Sequence, residues 1–106
     1  MAEVSTHRHL PSGAVQRLGT ALAHPIRQTV LLRLAEGSAS PGELAILCDT
    51  TRPNMSNHLA CLRGCGLVEF ERHGRRSTYR LASTEMGRAL LQLGSIVHAE
   101  CEVAAS

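Results

Sequence analysis

Tryptophan and lysine are missing from this 106-residue chain, and its only aromatic residues are Phe70 and Tyr79. The core must therefore be built from Leu, Val, Ile, Ala and Met, which favours packed helices. A chain this short forms one small domain of limited stability, so we expect a dimer interface. It has neither a secretory signal nor an apolar run of transmembrane length, so we expect a cytoplasmic protein without membrane contact.

Catalytic motifs are also missing. The sequence contains no glycine-rich phosphate loop, no HExxH and no GxSxG. His58 and Cys61 are spaced as a base and a nucleophile could be, but so small a chain leaves little room for a substrate cleft. The sequence therefore argues against an enzyme.

Positive charge is concentrated in one part of the chain. The formal net charge is only +2, yet the segment from Arg52 to Arg80 carries six arginines against two acidic residues, a local net charge of +4. Arginine suits phosphate contact because its planar fork is always charged. A GC-rich coding bias would explain why the basic residues are arginine and not lysine. A solvated charged face would explain the local patch. The patch alone therefore only permits nucleic-acid binding.

Apolar spacing and capping signals predict one domain over residues 11–106, preceded by a polar, flexible arm at residues 1–10. Within the domain they predict the order α-α-α-α-β-β-α, a mostly helical fold with one β-hairpin. The predicted helix starts are Pro11-Ser12, Pro25, Ser40 with Glu43 as a capping box, Thr51 and Ser83. The predicted hairpin begins at Leu67, turns at His73-Gly74 and returns over Ser77 to Leu81.

Two short helices joined by a tight turn and followed by a basic hairpin make a winged helix-turn-helix. Residues in the first turns of its second helix can reach base edges in the major groove, and the hairpin tip can place arginine beside a phosphate or in the minor groove. Met55, Leu59 and Leu62 form the apolar face of that helix and are assigned to the core. The candidate contacts to double-stranded operator DNA are Arg52, Asn54, Ser56, Asn57 and His58 on the helix, with Arg75 and Arg76 on the wing. The solvent-exposed polar face of a surface helix would explain any one of these residues. It explains poorly their combination with the helix spacing, the capped turn and the basic wing. A protein-interaction module on the same scaffold remains open, and it would show no salt-dependent DNA affinity.

Four cysteines in a reducing compartment are poor candidates for disulfides. Cys61 and Cys65 lie four residues apart, about 40° around the predicted recognition helix. They are either small packing residues or a thiolate pair for one soft ion, which would need a third ligand. Cys101 on the last helix, from the same or another subunit, is the leading candidate. Cys48, in the turn, is interpreted as packing.

The stretch from Glu43 to Leu81, with its core SNHLACLRGCGLV followed by GRRSTYRL, resembles the ArsR/SmtB family of metal-responsive repressors. The upstream LGTALAHPIRQTVLLRLAEG is similar to the same family, so the resemblance covers roughly residues 14 to 100. It implies homodimers paired through their first and last helices. It also implies binding to inverted repeats and release of DNA on metal binding.

The string SNHLACLRGCGLV also resembles the cadmium- and lead-sensing CmtR-type branch of that family. The resemblance implies that Cys61 and Cys65 are metal ligands, together with a C-terminal cysteine. Cys101 matches that third ligand only loosely because it arrives several residues early. Arsenite binding or thiol oxidation would use the same cysteines. A zinc or nickel site on the last helix would draw on Glu85, His98 and Glu100, but their spacing departs from the family pattern, and Ser83 stands where an Asp ligand would be.

Overall fold

A computed structural model describes the backbone of residues 12–105 and the side chains of residues 13–99. The described elements are α1 (Ser12–Leu22), α2 (Pro25–Leu34), α3 (Pro41–Leu47), α4 (Arg52–Gly64), β1 (Val68–His73), β2 (Arg76–Leu81) and α5 (Thr84–Ala105). The predicted element order and winged helix-turn-helix fold are confirmed. The predicted arm, residues 1–10, lies outside the described residues. No helix in the described part of the chain is long and apolar enough to cross a bilayer.

The helix starts are fixed by local hydrogen bonds. Ser40 and Glu43 form a reciprocal capping box at α3, with bonds of 3.1 and 3.0 Å between each side chain and the other's backbone N–H. The bond donated by the Ser40 N–H holds the pKa of the Glu43 carboxyl below its ordinary value. Thr51 and Ser83 each accept a hydrogen bond from the backbone N–H three residues on, capping α4 and α5. These predicted caps are therefore confirmed.

A Schellman motif ends α4 and sets the beginning of the wing. Gly66 adopts φ 82°, a left-handed conformation that favours glycine. The N–H of Leu67 then donates to the carbonyl of Leu62, at 3.1 Å. Leu67 is thereby used to close the helix, and β1 begins one residue later than predicted. The tip is also displaced by one residue, because His73 pairs with Arg76 across the hairpin and leaves Gly74-Arg75 as the turn.

Side-chain contacts join the two strands of the wing, and a backbone bridge holds the wing to the rest of the domain. The rings of Phe70 and Tyr79 pair across the strands, with centroids 5.2 Å apart. Arg80 pairs with Glu69 at 2.9 Å and with Glu71 at 3.5 Å. Tyr79 also exchanges backbone hydrogen bonds of 3.0 and 2.8 Å with the residue at position 39, just before α3. The wing is therefore anchored to the body of the domain beside the helix-turn-helix.

The described core is aliphatic throughout, as the composition predicts. It joins α1, α2, α3, α4 and the start of the wing through Ala21, Val30, Leu31, Leu34, Ala39, Leu44, Ala45, Met55, Leu59, Leu62, Leu67 and Val68. From α5, Met86 and Leu90 pack partly against this cluster. Farther along the same helix the apolar residues Leu91, Leu93, Ile96 and Val97 are about half exposed.

Candidate DNA interface and thiol site

The recognition helix α4 turns a polar surface to solvent at its N-terminal end. Met55, Leu59 and Leu62 are fully buried, so they fix which side of the helix faces the core. The opposite side carries four of the predicted DNA-contacting residues, all exposed: Arg52, Asn54, Ser56 and Asn57. Their short amide and hydroxyl groups, with one guanidinium, are groups that can hydrogen-bond to base edges.

Asn54 and Arg52 have defined positions within this surface. The side-chain amide of Asn54 donates to the Thr50 hydroxyl at 2.8 Å, which holds it beside the start of the helix. The Arg52 guanidinium lies across Gly42 in α3, 3.2 Å from where a β-carbon would be. The missing side chain at Gly42 therefore leaves room for Arg52 between the two helices of the helix-turn-helix.

The wing brings further positive charge to the same side. Arg75 and Arg76 are exposed at the tip, and Arg72 donates to the Gly74 carbonyl at 3.1 Å. A groove between the wing and the helix-turn-helix is lined by Arg52, Arg75 and Arg76, among others. The structure thus brings the predicted arginines of helix and wing to one cleft, where they can face a single anionic backbone.

His58 does not share this surface, contrary to the expectation that it was free of the packed face. It is about 9% exposed, and its ring packs on that of His24 with centroids 4.4 Å apart. Its Nδ1 lies 3.3 Å from an NH group of Arg27. Burial, and secondarily the charges of His24 and Arg27, lower the pKa of His58. His58 therefore packs the recognition helix against α2 in its neutral form.

Cys61 and Cys65 lie together at the C-terminal end of the recognition helix, as their spacing predicts. Cys65 is the C-cap residue, and its N–H donates to the Cys61 carbonyl at 3.0 Å. Both side chains are half-buried. The pKa of the Cys65 thiol is raised by burial first and then by the charge of, and a hydrogen bond with, the Cys61 side chain. Burial and the neighbouring Cys61 side chain therefore favour the protonated form of the Cys65 thiol.

A soft cation fits this pair of donors. Thiolates are the ligands that soft metal ions prefer, and the thiol protons must leave when a metal binds. The guanidinium charges of Arg17 and Arg27 act in the opposite direction to burial and lower the pKa of Cys65. Thiolate formation here is thus disfavoured by burial and partly assisted by two fixed cations.

The described residues supply two ligands and not a third. Among the side chains described, no group of three His, Cys, Asp or Glu is placed to hold a metal ion. Cys101 falls on α5, but its side chain lies outside the described residues, as does that of Glu100. Glu85 and His98 are thirteen positions apart on α5, about 20 Å along the axis. Within one chain they cannot share an ion.

Cys48 stands apart from the thiol pair. It is the C-cap residue of α3 and packs against the core. Burial raises the pKa of its thiol. This environment is typical of a packing cysteine, in keeping with the interpretation from the sequence.

Comparison with known proteins places this arrangement in a family. A helix-turn-helix domain family matches residues 22–69. The transcriptional regulator CmtR of Mycobacterium tuberculosis is 49% identical over 84 residues, which cover 79% of this chain and 71% of that relative. The transcriptional repressor SmtB of the same species is 35% identical over 86 residues, covering 81% of this chain and 62% of the relative. The chain belongs to the ArsR/SmtB family.

Solved structures agree with this assignment. The solution structure of CmtR from M. tuberculosis, described as a cadmium metal-sensor, has 49% identity and a TM-score of 0.66, covering 77% of this chain and 85% of that one. A homodimeric winged helix-turn-helix DNA-binding domain from Mycobacterium bovis, a possible ArsR-family regulator, has 30% identity and a TM-score of 0.78. It covers 84% of this chain and 82% of the other. This ArsR/SmtB chain is therefore a DNA-binding transcriptional regulator rather than an enzyme, as the sequence predicts.

Sequence reasoning about this ArsR/SmtB chain missed the cluster of His24, Arg27 and His58. Arg27 and His58 are 31 residues apart, and no spacing rule links them. The only local signal is His24-Pro25, where His24 caps α2 by accepting from the Ile26 N–H at 3.1 Å. A tertiary contact of this kind leaves no periodic trace in the sequence.

Proposed function

We propose that this regulator is a homodimeric repressor that releases operator DNA when Cys61 and Cys65 bind a soft metal ion, cadmium(II) or lead(II). The observation that carries the proposal is the position of two half-buried cysteines one helical turn apart at the end of the recognition helix. The similarity to a cadmium sensor supports the choice of metal. Cys101 is the proposed third ligand.

DNA binding in this proposal uses the exposed surface of α4 and the tip of the wing. Arg52, Asn54, Ser56 and Asn57 read the major groove, and Arg75 and Arg76 contact the phosphate backbone. His58, being buried, acts by holding the helix in place and not by touching a base. In a dimer the two recognition helices would address half-sites about one turn of DNA apart, roughly 34 Å.

The response follows from where the thiols are placed. Cys65 caps the C-terminal end of α4, where the helix dipole disfavours negative charge, and burial raises the pKa of its thiol. A bound soft cation supplies the positive charge that offsets the cost of holding thiolates there. Cys61 and Cys65 then draw together around a common centre at the end of the helix that reads DNA. The coupling between the two sites is reciprocal and typically about 1–3 kcal/mol, so DNA weakens metal binding by the same factor.

Other effectors could act through the same fold, and experiments can distinguish them from cadmium and lead. Arsenite also prefers thiolates, and a pair of interacting thiols is equally suited to oxidation by peroxide. Zinc or nickel binding through Glu85, His98 and Glu100 would leave the recognition-helix cysteines unused. The choice therefore depends on which cysteines the response requires.

The deciding experiment adds cadmium(II) to reduced protein bound to a labelled promoter fragment and follows fluorescence anisotropy. We expect stoichiometric metal to release the wild-type protein and Cys48→Ser alike, because Cys48 caps α3 and lies outside the helix that carries the thiol pair. Cys61→Ser and Cys65→Ser should stay bound, since one thiolate is a poor site for a soft ion. The ultraviolet thiolate-to-metal absorption should be lost in the same two variants.

Two results would overturn the metal-sensing role. Full release of Cys61→Ser by cadmium would show that the pair is not the sensor. Release by peroxide in metal-free buffer, with none by cadmium, would assign the pair to a redox response. Parallel titrations with lead(II) and arsenite rank the effectors, and a Cys101→Ser variant tests the third ligand.

A further inference from the structure

The turn of the helix-turn-helix fixes the backbone of Thr50 against α3. Asp49 adopts φ 52°, a left-handed conformation, and its N–H donates to the Ile46 carbonyl at 3.1 Å. The Thr50 N–H donates to the Ala45 carbonyl at 3.0 Å, and Ala45 is buried in the core. The two bonds form a Schellman motif at the end of α3. Thr50 is therefore held by the body of the domain, two residues before the recognition helix begins.

Asn54, in the first turn of α4, is held at both its backbone and its side chain. Its backbone N–H donates to the Thr51 hydroxyl at 3.2 Å, and its side-chain Nδ2 donates to the Thr50 hydroxyl at 2.8 Å. The residue is exposed. Within the described part of the chain, hydrogen bonds leave the amide oxygen and the second N–H of Nδ2 unused. The recognition helix thus presents one acceptor beside one donor, on a side chain that is fixed before DNA binds.

One base matches this pair of groups in the major groove. Adenine presents an acceptor, N7, beside a donor, N6–H₂, whereas guanine presents two acceptors, N7 and O6. An amide oxygen facing guanine O6 would bring two acceptors together. Because Thr50 takes one of the two N–H groups, the amide cannot direct both of them at guanine. Cytosine offers only a donor and thymine only an acceptor, so each would satisfy half of the amide.

We propose that Asn54 selects adenine in each half-site of the operator and that Thr50 is the positioning residue that fixes the amide for this contact. The inference rests on the proposed function, which places Asn54 in the major groove, and adds the base that it recognises. Fixing a side chain before binding reduces the entropy lost at the interface. Thr50 therefore raises both the affinity and the selectivity of the contact. Without the Thr50 hydroxyl the amide turns freely and accommodates guanine as well.

The first test selects bound sequences from a randomised duplex library with reduced, metal-free protein. We expect wild type to enrich adenine at one position of each half-site, and Asn54→Ala to lose the preference at that position alone. Thr50→Val removes the hydroxyl and keeps the branched shape, so it should lose the same preference, whereas Thr50→Ser should retain it. Thr29→Val is the matched control, because it removes a hydroxyl that bonds within α2, to the Pro25 carbonyl at 3.1 Å. This control should leave every position unchanged.

Anisotropy titrations on the selected duplex give the size of the effect. In wild type, replacing that A·T pair by G·C should weaken binding by about 5–150-fold, the usual range for one bidentate side-chain contact. In Thr50→Val the factor should fall below about 3, because an unheld amide no longer discriminates between the two purines. The salt dependence of affinity should keep the wild-type slope, since neither Thr50 nor Asn54 carries a charge that neutralises phosphate. A substitution that merely disturbed the recognition helix would instead weaken binding at every position of the operator.

A measurement without DNA reports on the hydrogen bond itself. In the NMR spectrum of free wild-type protein, one of the two side-chain amide protons of Asn54 should be shifted downfield by its bond to Thr50. In Thr50→Val both should lie where exposed amide protons normally do, and in Thr50→Ser the shift should remain. Circular dichroism and the melting temperature check that each variant folds. Thr50→Ala removes the hydroxyl with a smaller side chain and replaces Thr50→Val if that variant does not fold.

The outcomes separate base selection from the rest of the function. An adenine preference that survives in folded Thr50→Val overturns the role of Thr50, and one that survives in Asn54→Ala overturns the contact between Asn54 and adenine. Enrichment of another base at the position that depends on Asn54 also overturns it. If wild type shows no salt-dependent DNA affinity, the proposed DNA surface fails as well. If cadmium does not release wild type, metal sensing fails and the selection of adenine stands.

Discussion

His58 makes the stability of this domain depend on pH. Burial, followed by the charges of His24 and Arg27, lowers its pKa in the folded chain. Below about pH 6.5, the ordinary histidine pKa, the unfolded chain therefore binds more protons than the folded one. Stability is full above that pH and falls as the pH is lowered through it. We expect the urea midpoint to drop between about pH 7 and 5.5 in wild type, and to be nearly flat there in His58→Gln.

A matched histidine on the wing provides the control. His73 is 67% exposed and pairs with Glu71 at 2.9 Å, so its replacement removes an exposed imidazole and leaves the buried one in place. His73→Gln should keep the wild-type loss of stability. The Glu43 carboxyl, whose pKa is lowered, stabilises the fold at neutral pH and loses that effect only below about pH 4.5, outside this window. A wild-type profile in His58→Gln would contradict the assignment.

The wing is an element whose charges divide into paired and unpaired sets. Arg80 pairs with Glu69 and Glu71, whereas Arg75 and Arg76 extend from the tip into the groove beside α3. Each phosphate contact contributes roughly 0.9 to the slope of log affinity against log salt. We expect Arg75→Gln with Arg76→Gln to lower operator affinity and reduce that slope by up to about 2. Anisotropy titrations over a range of salt concentrations measure both quantities.

Arg80→Gln is the matched control within the same hairpin. Because two carboxylates already neutralise Arg80, its loss should change the salt slope by much less than loss of the tip arginines. Melting temperatures should show all three proteins folded, since exposed ion pairs contribute little stability. An unchanged slope in the Arg75/Arg76 variant would show that the wing tip does not contact phosphate.

The elements show which features a sequence can reveal. Helix starts at Ser40, Thr51 and Ser83 are predictable because a cap is a bond between residues three apart. The first strand of the wing begins one residue late because the N–H of Leu67 closes the Schellman motif at Gly66. These are local rules, and their errors are correspondingly small.

The features that the sequence does not reveal are those that depend on contacts between distant parts of the chain. The side of α4 that carries Cys61 and Cys65 follows from helical spacing, and the structure brings the two thiols together as expected. His58 lies at the edge of the apolar stripe, where periodicity does not decide between solvent and core. Its burial depends on His24 and Arg27, more than 30 positions earlier in the chain. The third metal ligand is a similar case, because it depends on a side chain from another element or another subunit.

At the scale of the whole molecule, the middle of α5 leaves apolar side chains about half exposed. Leu91, Leu93, Ile96 and Val97 are 47–58% exposed, and Val15 of α1 is 65% exposed. These residues fall on the first and last described helices, which the family resemblance assigns to dimerisation. Burying such side chains against a second copy would stabilise a small domain whose own core is limited. The proposed dimer therefore depends on α5 and not on the helix-turn-helix.

This dependence is tested by placing one charge on each of two exposed isoleucines. Ile96→Asp on α5 should convert the dimer to a monomer, because burying an unpaired carboxylate against an apolar partner face costs more than the contact contributes. Ile46→Asp on α3, at a position 82% exposed, should remain dimeric. Sedimentation velocity distinguishes the two states. If Ile96→Asp remains dimeric, the dimer interface does not include this part of α5. A monomeric one should bind an inverted-repeat operator no more tightly than a single half-site, because a monomer carries one recognition helix and gains nothing from the second half-site.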